Sequence, residues 1–173
     1  GIGRDLDHMD PEYLPQMAKA FGLGTPTGIP YLPEAAGVVP DPVWKLETYG
    51  DYWATGDAVN LAIGQGALQV TPLQLATAYA AIANGGYLLQ PYVVSEIVGP
   101  GGEREQAGER VVRGRLPISG ATLTALQAAL RAQTSDPAGA GSYRVFGDMT
   151  WPIAGKTGTA QRSASAAAKP HSW

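Results

Sequence analysis

Between Thr71 and Gly85 the chain spells out a helix with both ends marked and almost no polar surface. Thr71 with Gln74 three residues on forms a capping box, Pro72 suits the first helical position, and Gly85 supplies the stop. From Leu73 to Ala83 only Gln74 and Thr77 are polar, so no wide face is left for water. A helix of that kind is buried on all sides. It demands a large surrounding domain, and 173 residues make one ordinary domain or a piece of a bigger one.

The other elements are shorter and imply a mixed α+β chain. Leu14, Met17, Ala18 and Phe21 recur at helical spacing, predicting a helix over Glu12 to Phe21 that begins near Leu14 because of Pro15 and stops at Gly22. From Gly22 to Asp57 recurrent Gly and Pro predict a long loop region, in which Tyr31, Trp44, Tyr49, Tyr52 and Trp53 are expected to pack. Tyr92 to Val98 reads as a strand ending at Gly99-Pro100-Gly101-Gly102, with Arg110 to Arg113 as its partner. Ser119 caps a helix running to about Ala132, Ser135 to Ser142 is loop-like, and Trp151 to Gln161 reads as a glycine-bearing strand. Ser163 to Ala168 is a further loop, and no internal repeat is present.

Composition narrows the chemistry. Twelve basic against fifteen acidic side chains give a net charge of −3, so no general positive field exists to attract nucleic acid. With no cysteine, disulfides, thiolate catalysis and Cys-based metal sites are excluded. His8 and His171 stand far apart and outside any ligand spacing, so neither a metal nor another cofactor is expected. No apolar run approaches the length of a membrane span.

The most informative short motif is Lys156-Thr157-Gly158. A fixed cation beside a hydroxyl can hold a carboxylate and support a nucleophile's proton traffic, while glycine lets a peptide approach the backbone. Alternation along a strand puts Lys156 and Thr157 on opposite faces, so both serve one site only if that site lies along the strand edge. The simpler reading is an exposed edge lysine that discourages sheet-to-sheet pairing.

Lys156-Thr157-Gly158-Thr159-Ala160-Gln161, preceded by Asn60 to Gly66 and by Thr71-Pro72-Leu73-Gln74-Leu75-Ala76, resembles the transpeptidase domain of class B penicillin-binding proteins. The Gly64-Gln65-Gly66 to capped-helix stretch, ending Ala83-Asn84-Gly85-Gly86, resembles most the elongation-type branch, penicillin-binding protein 2. Phe21 to Gly24, Thr27 to Ile29, Pro33-Glu34, Gly37, Trp53 and Gly56-Asp57 follow in the same order, so the resemblance covers nearly the whole chain. It implies part of a penicillin-binding-protein or serine β-lactamase-like fold, an antiparallel sheet with flanking helices. It implies D,D-transpeptidation of peptidoglycan stem peptides through a serine acyl-enzyme, with β-lactam antibiotics as alternative ligands. By the same resemblance Lys156 and Thr157 contact the carboxylate and the proton network, and Thr159 offers its backbone N–H to the oxyanion hole. Gly155 and Gly158 leave room for the donor peptide. The implied protein is anchored at the extracytoplasmic face of the membrane by an N-terminal span and associates with membrane elongation-complex proteins.

One departure is plain: no serine is followed by lysine three residues later, and the S-x-N element is missing. Residues 1–173 are therefore expected to be a partial transpeptidase domain cut at both ends, inactive alone, with the nucleophile outside them. A β-lactamase or β-lactam sensor, or a non-catalytic wall- or partner-binding module of the same fold, remain as alternatives. Asp57 is expected to cap a helix or turn rather than act as a catalytic carboxylate. Trp44, Tyr52 and Trp53 are expected to pack rather than to bind saccharide. Gly64-Gln65-Gly66 is read as close backbone packing, not a phosphate loop, and His171 as an ordinary strand-start residue.

Overall fold

The computed structural model describes residues 1–138, 142–160 and 171–172. It divides into two compact units, Gly1–Pro117 and Ile118–Trp173. Helices and small antiparallel ladders alternate along it, the mixed class that the sequence implies.

In the first unit, α1 (Ile2–Met9) packs on α4 (Thr55–Ala62). Gly3 makes this approach possible, since a Cβ there would sit 2.7 Å from the Cβ of Ala62. α2 (Tyr13–Ala20) carries Pro15 in its first turn, where helical N–H groups have no partner within the helix. It stops before Gly22, whose φ of 86° suits a residue without a Cβ.

α3 (Pro42–Tyr49) lies inside the stretch expected to be loop. Its signals are local: Asp41 accepts from the Trp44 N–H at 2.7 Å, Pro42 opens the helix, and Gly50 closes it at φ 67°. None of its residues is buried, so it leaves no apolar stripe to read. Asp57 caps α4 as expected, accepting from the Ala54 N–H at 2.8 Å and from the Lys45 ammonium at 2.7 Å. Trp53 donates its indole N–H to Asp7 at 2.9 Å, and Trp44 meets Tyr49 edge to face with ring centroids 5.4 Å apart. Those contacts fit packing, although Tyr52 itself stands out in solvent.

α5 (Pro72–Ala83) forms where its caps place it: Thr71 Oγ1 accepts from the Gln74 N–H at 3.1 Å, and Gln74 Oε1 accepts from the Thr71 N–H at 2.9 Å. Gln74, Ala78, Ala81 and Ile82 are buried together with Ile29, Val39, Leu61 and Leu88. The opposite side, Ala76, Tyr79, Ala80 and Ala83, is exposed. Burial on all sides is thus not reached among the described residues, and the face left open is apolar.

Two polar residues tie the loops to this core. Gln74 is fully buried and donates its amide to the carbonyls of Thr25 and Ala36, both at 2.8 Å. The Glu34 carboxylate collects the hydroxyl of Thr27 (2.6 Å) and the N–H groups of Thr27, Gly28 and Ile29 (3.0, 2.7 and 3.2 Å). Burial pushes the Glu34 carboxyl up, but those four donors outweigh it and hold the group below its ordinary range.

The strand pairing differs from expectation. β1 (Tyr87–Leu89), a strand not anticipated, pairs antiparallel with β4 (Val112–Arg115). β2 is confined to Glu96–Val98 and pairs with β3 (Arg104–Gln106) across the glycine turn. The Arg110 to Arg113 segment therefore belongs beside β1, not beside the Tyr92 to Val98 stretch. The reason lies in the helix exit: Asn84 exchanges side-chain hydrogen bonds of 2.8 Å with the N–H and C=O of Tyr87, and Leu88 is buried against Gly22. That anchors β1 first, and Arg110 and Arg115 then lie over the Tyr87 ring at 5.7 and 5.4 Å.

In the second unit, Ser119 caps α6 (Gly120–Ser135), accepting from the Thr122 N–H at 3.0 Å. α7 (Tyr143–Phe146) follows, just beyond the stretch expected to be loop-like at Ser135 to Ser142. Among the described residues of the stretch expected to be strand from Trp151 to Gln161, β5 (Thr159–Ala160) carries a ladder, pairing with β6 (His171–Ser172). Residues 152–158 lie outside any strand, and a strand needs a partner to be one. The loop expected at Ser163 to Ala168 lies outside the described residues. No helix among the described residues is long and apolar enough to cross a membrane.

Candidate functional site

Gly155, Lys156, Thr157, Gly158 and Thr159 form one contiguous segment that leads into β5, with Lys156 to Thr159 all exposed. The Lys156 ammonium folds back and donates to the carbonyl of its neighbour Thr157 at 2.7 Å. Its charge therefore lies at the backbone edge and is not projected away from one face. Strand alternation does not apply to this pair, because residues 152–158 lie outside any strand. At Gly155 the space that a Cβ would enter is open among the described residues. Thr159 pairs opposite Ser172, and the His171 backbone opposite Ala160.

The segment is held from the side of α6. Ile153, three residues before Lys156, has a carbonyl that accepts from the Arg131 guanidinium at 3.0 Å and from the Thr134 hydroxyl. The Gly155 N–H donates to the Leu130 carbonyl at 3.0 Å. Thr134 is 3% exposed, one of two buried residues among those described in this unit, Ser142 being the other. Sequence reasoning missed Thr134 because it ended the helix at about Ala132. The signal was present: Leu123, Leu126 and Leu130 recur along one stripe, and Thr134 takes its next position, where a hydroxyl requires a partner.

Asp57 and Asp41 serve the scaffold of the first unit. Burial raises the Asp57 carboxyl, but the Lys45 ammonium and the Ala54 N–H more than offset it and leave the group below its usual range. Asp41 behaves alike, with burial opposed by Lys19 and by the first N–H groups of α3. Both carboxylates are engaged in caps and ion pairs.

The family model for the penicillin binding protein transpeptidase domain matches residues 5–173. The chain belongs to that family. Among curated relatives, the peptidoglycan D,D-transpeptidase MrdA of Acinetobacter baumannii is 32% identical over 155 residues, covering 90% of this chain and 22% of the relative. Penicillin-binding protein PbpB of Mycobacterium tuberculosis is 37% identical over 156 residues, covering 88% and 21%. Among solved structures, PBP2 of Helicobacter pylori, determined in complex with MreC, aligns with a TM-score of 0.73 at 28% identity over 92% of this chain and 27% of that one. PBP2 of Pseudomonas aeruginosa, determined with WCK 5153, gives 0.73 at 29% identity over 93% and 36%. The chain thus spans about a fifth of the length of these curated relatives. The family read from the order of its motifs, including the resemblance to penicillin-binding protein 2, is the one that the comparisons return.

Proposed function

We propose that this chain is the part of an elongation-type peptidoglycan D,D-transpeptidase that carries the carboxylate-binding segment. The observation that supports this most is the exposed run from Lys156 to Thr159, with the Lys156 ammonium drawn to the Thr157 carbonyl, in a chain of the transpeptidase family. Lys156 and Thr157 receive the terminal carboxylate of a D-Ala-D-Ala stem peptide or of a β-lactam. Thr159 donates its backbone N–H to the oxygen that becomes negative as the carbonyl is attacked. Gly155 and Gly158 keep side chains out of the way of the donor peptide.

The reaction is a double acyl transfer. A serine hydroxyl attacks the penultimate D-Ala carbonyl, an ester forms as the peptide bond breaks, and terminal D-Ala leaves with the proton. The amine of a neighbouring stem peptide then attacks the ester, forming the cross-link and returning the proton to the serine. No serine in these residues has lysine at the third following position, so this reading puts the nucleophile elsewhere in the protein. The setting is the extracytoplasmic face of the bacterial membrane, with an N-terminal anchor and the elongation machinery as partners. The relative solved with MreC supports the latter.

The test is Lys156→Ala in the full-length protein, with acylation by a fluorescent penicillin followed in time. A drop of about a hundredfold or more is expected for loss of a charged contact to the reacting ligand. An unchanged rate would remove Lys156 from the site. The 173-residue chain by itself is expected to take no covalent label.

A further inference from the structure

The side chains outside the Lys156 run that touch its backbone support are those of Thr134 and Arg131, and their geometry is specific. Thr134 Oγ1 lies within reach of two carbonyls, those of Arg131 and Ile153, but has one proton to give. The Arg131 carbonyl already accepts from the Ser135 hydroxyl at 2.9 Å, which leaves the Ile153 carbonyl as the acceptor with room for the Thr134 proton. The proton therefore goes to Ile153. Arg131 Nη1 then donates both to Ile153 O at 3.0 Å and to Thr134 Oγ1 at 3.3 Å, so both lone pairs of the Ile153 carbonyl are used.

With Gly155 bonded to the Leu130 carbonyl, the chain is pinned at 153 and 155, and Lys156 is the next residue. Two pins two residues apart, one on a carbonyl and one on an N–H, restrict both the rotation and the advance of the chain that leads into Lys156. We infer that Thr134 and Arg131 are positioning residues: the last turns of α6 set the orientation of the Lys156 to Thr159 edge through the Ile153 carbonyl. The inference rests on the transpeptidase reading of that edge. Neither side chain touches the reacting ligand in this scheme, so the effect is on placement, to which acyl transfer is sensitive.

The test uses Thr134→Val, Thr134→Ser and Arg131→Met in the full-length protein, with Lys156→Ala in parallel. Stopped-flow acylation by a fluorescent penicillin separates the initial binding constant, the acylation rate constant and the labelled fraction. Thr134→Val is expected to lower the acylation rate constant by about 10- to 100-fold, the range for a displacement of roughly 1 Å. Thr134→Ser, which keeps the donor, is expected to restore it to within about threefold. A merely structural role would reduce the labelled fraction and the melting temperature but leave the rate constant of the folded molecules alone. A wild-type rate constant in Thr134→Val, or a serine variant as slow as valine, overturns the inference. If the valine variant does not fold, Arg131→Met decides, since Arg131 is exposed and has no core to lose; a rate constant within about twofold of wild type then overturns it. If Lys156→Ala also acylates normally, it is the assignment of the edge that has failed, not its support by α6.

Discussion

Replacing Gln74 by leucine removes three hydrogen bonds made by a side chain that has no access to water. The side chain is fully buried, its amide supplies the carbonyls of Thr25 and Ala36, and its oxygen receives the Thr71 N–H. Each buried group left without a partner costs about 1–3 kcal/mol. Leucine returns about 1–2 kcal/mol through its greater apolar burial. At about 1.5–2 kcal/mol for each of the three groups, whose residues are themselves exposed or half-buried, the net is on the order of 3–5 kcal/mol, a large share of the roughly 5–15 kcal/mol by which domains are stable. In a domain of this class that corresponds to a Tm lower by roughly 6–20 °C.

Gln74→Glu sharpens the test, because a carboxylate would face the Thr25 and Ala36 carbonyls and be forced to stay protonated. Its folded pKa would rise above the unfolded value of about 4.3. Relative to wild type, its stability is then best preserved below that pH and falls by about 1.4 kcal/mol per unit as pH rises towards the folded pKa. Thermal unfolding of the transpeptidase domain carrying this chain, for wild type and both variants at pH 4.5 and 7.5, measures it. A Gln74→Leu variant within about 1 kcal/mol of wild type, or a pH-independent deficit for Gln74→Glu, would refute the reasoning.

Glu34→Gln keeps the shape but has one acceptor oxygen where four donors converge, and should cost about 2–4 kcal/mol by chemical denaturation at pH 7. Because the Glu34 pKa is depressed, its contribution is present above the ordinary value of about 4.3 and is lost as pH falls through the native pKa, so the deficit of Glu34→Gln relative to wild type should narrow in acid. Gly37→Ala should cost more than about 2 kcal/mol in the same assay: φ is 68°, and the new Cβ would press on the Gln69 carbonyl that Val38 pairs with.

What could be read from the sequence was local chemistry. Thr71 with Gln74, and Ser119, announce their helices because a cap is settled within three residues. Asp41, Pro42 and Gly50 use the same grammar for α3, yet the surrounding Gly and Pro obscure it and no buried stripe reinforces it. The antiparallel pairing was harder, since three-residue strands carry little periodicity and β1 is chosen by Asn84 and Leu88 at the exit of a helix. Lys156 was legible as a motif. Thr134 could be placed on the α6 stripe, but its partner could not, because Thr134 meets Ile153 across nineteen residues of sequence.

The two units place different demands on their polar groups. In the first, Gln74 and Glu34 work inside or beside an apolar core of Ile29, Leu61, Ala81 and Ile82, so a lost hydrogen bond is resisted by packing all around it. In the second, the apolar stripe of α6 is only half-buried among the described residues, and the segment before Lys156 is located by three hydrogen bonds from Leu130, Arg131 and Thr134. Dispersion falls off gradually as atoms slide, whereas a hydrogen bond demands a distance and an angle. A segment positioned mainly by such bonds can be held in one orientation without being clamped in volume, as the proposed peptide-binding role of its outer edge requires. The same arrangement makes it vulnerable: deleting a single hydroxyl at Thr134 removes a larger part of what orients Lys156 than any one apolar truncation in α6 would.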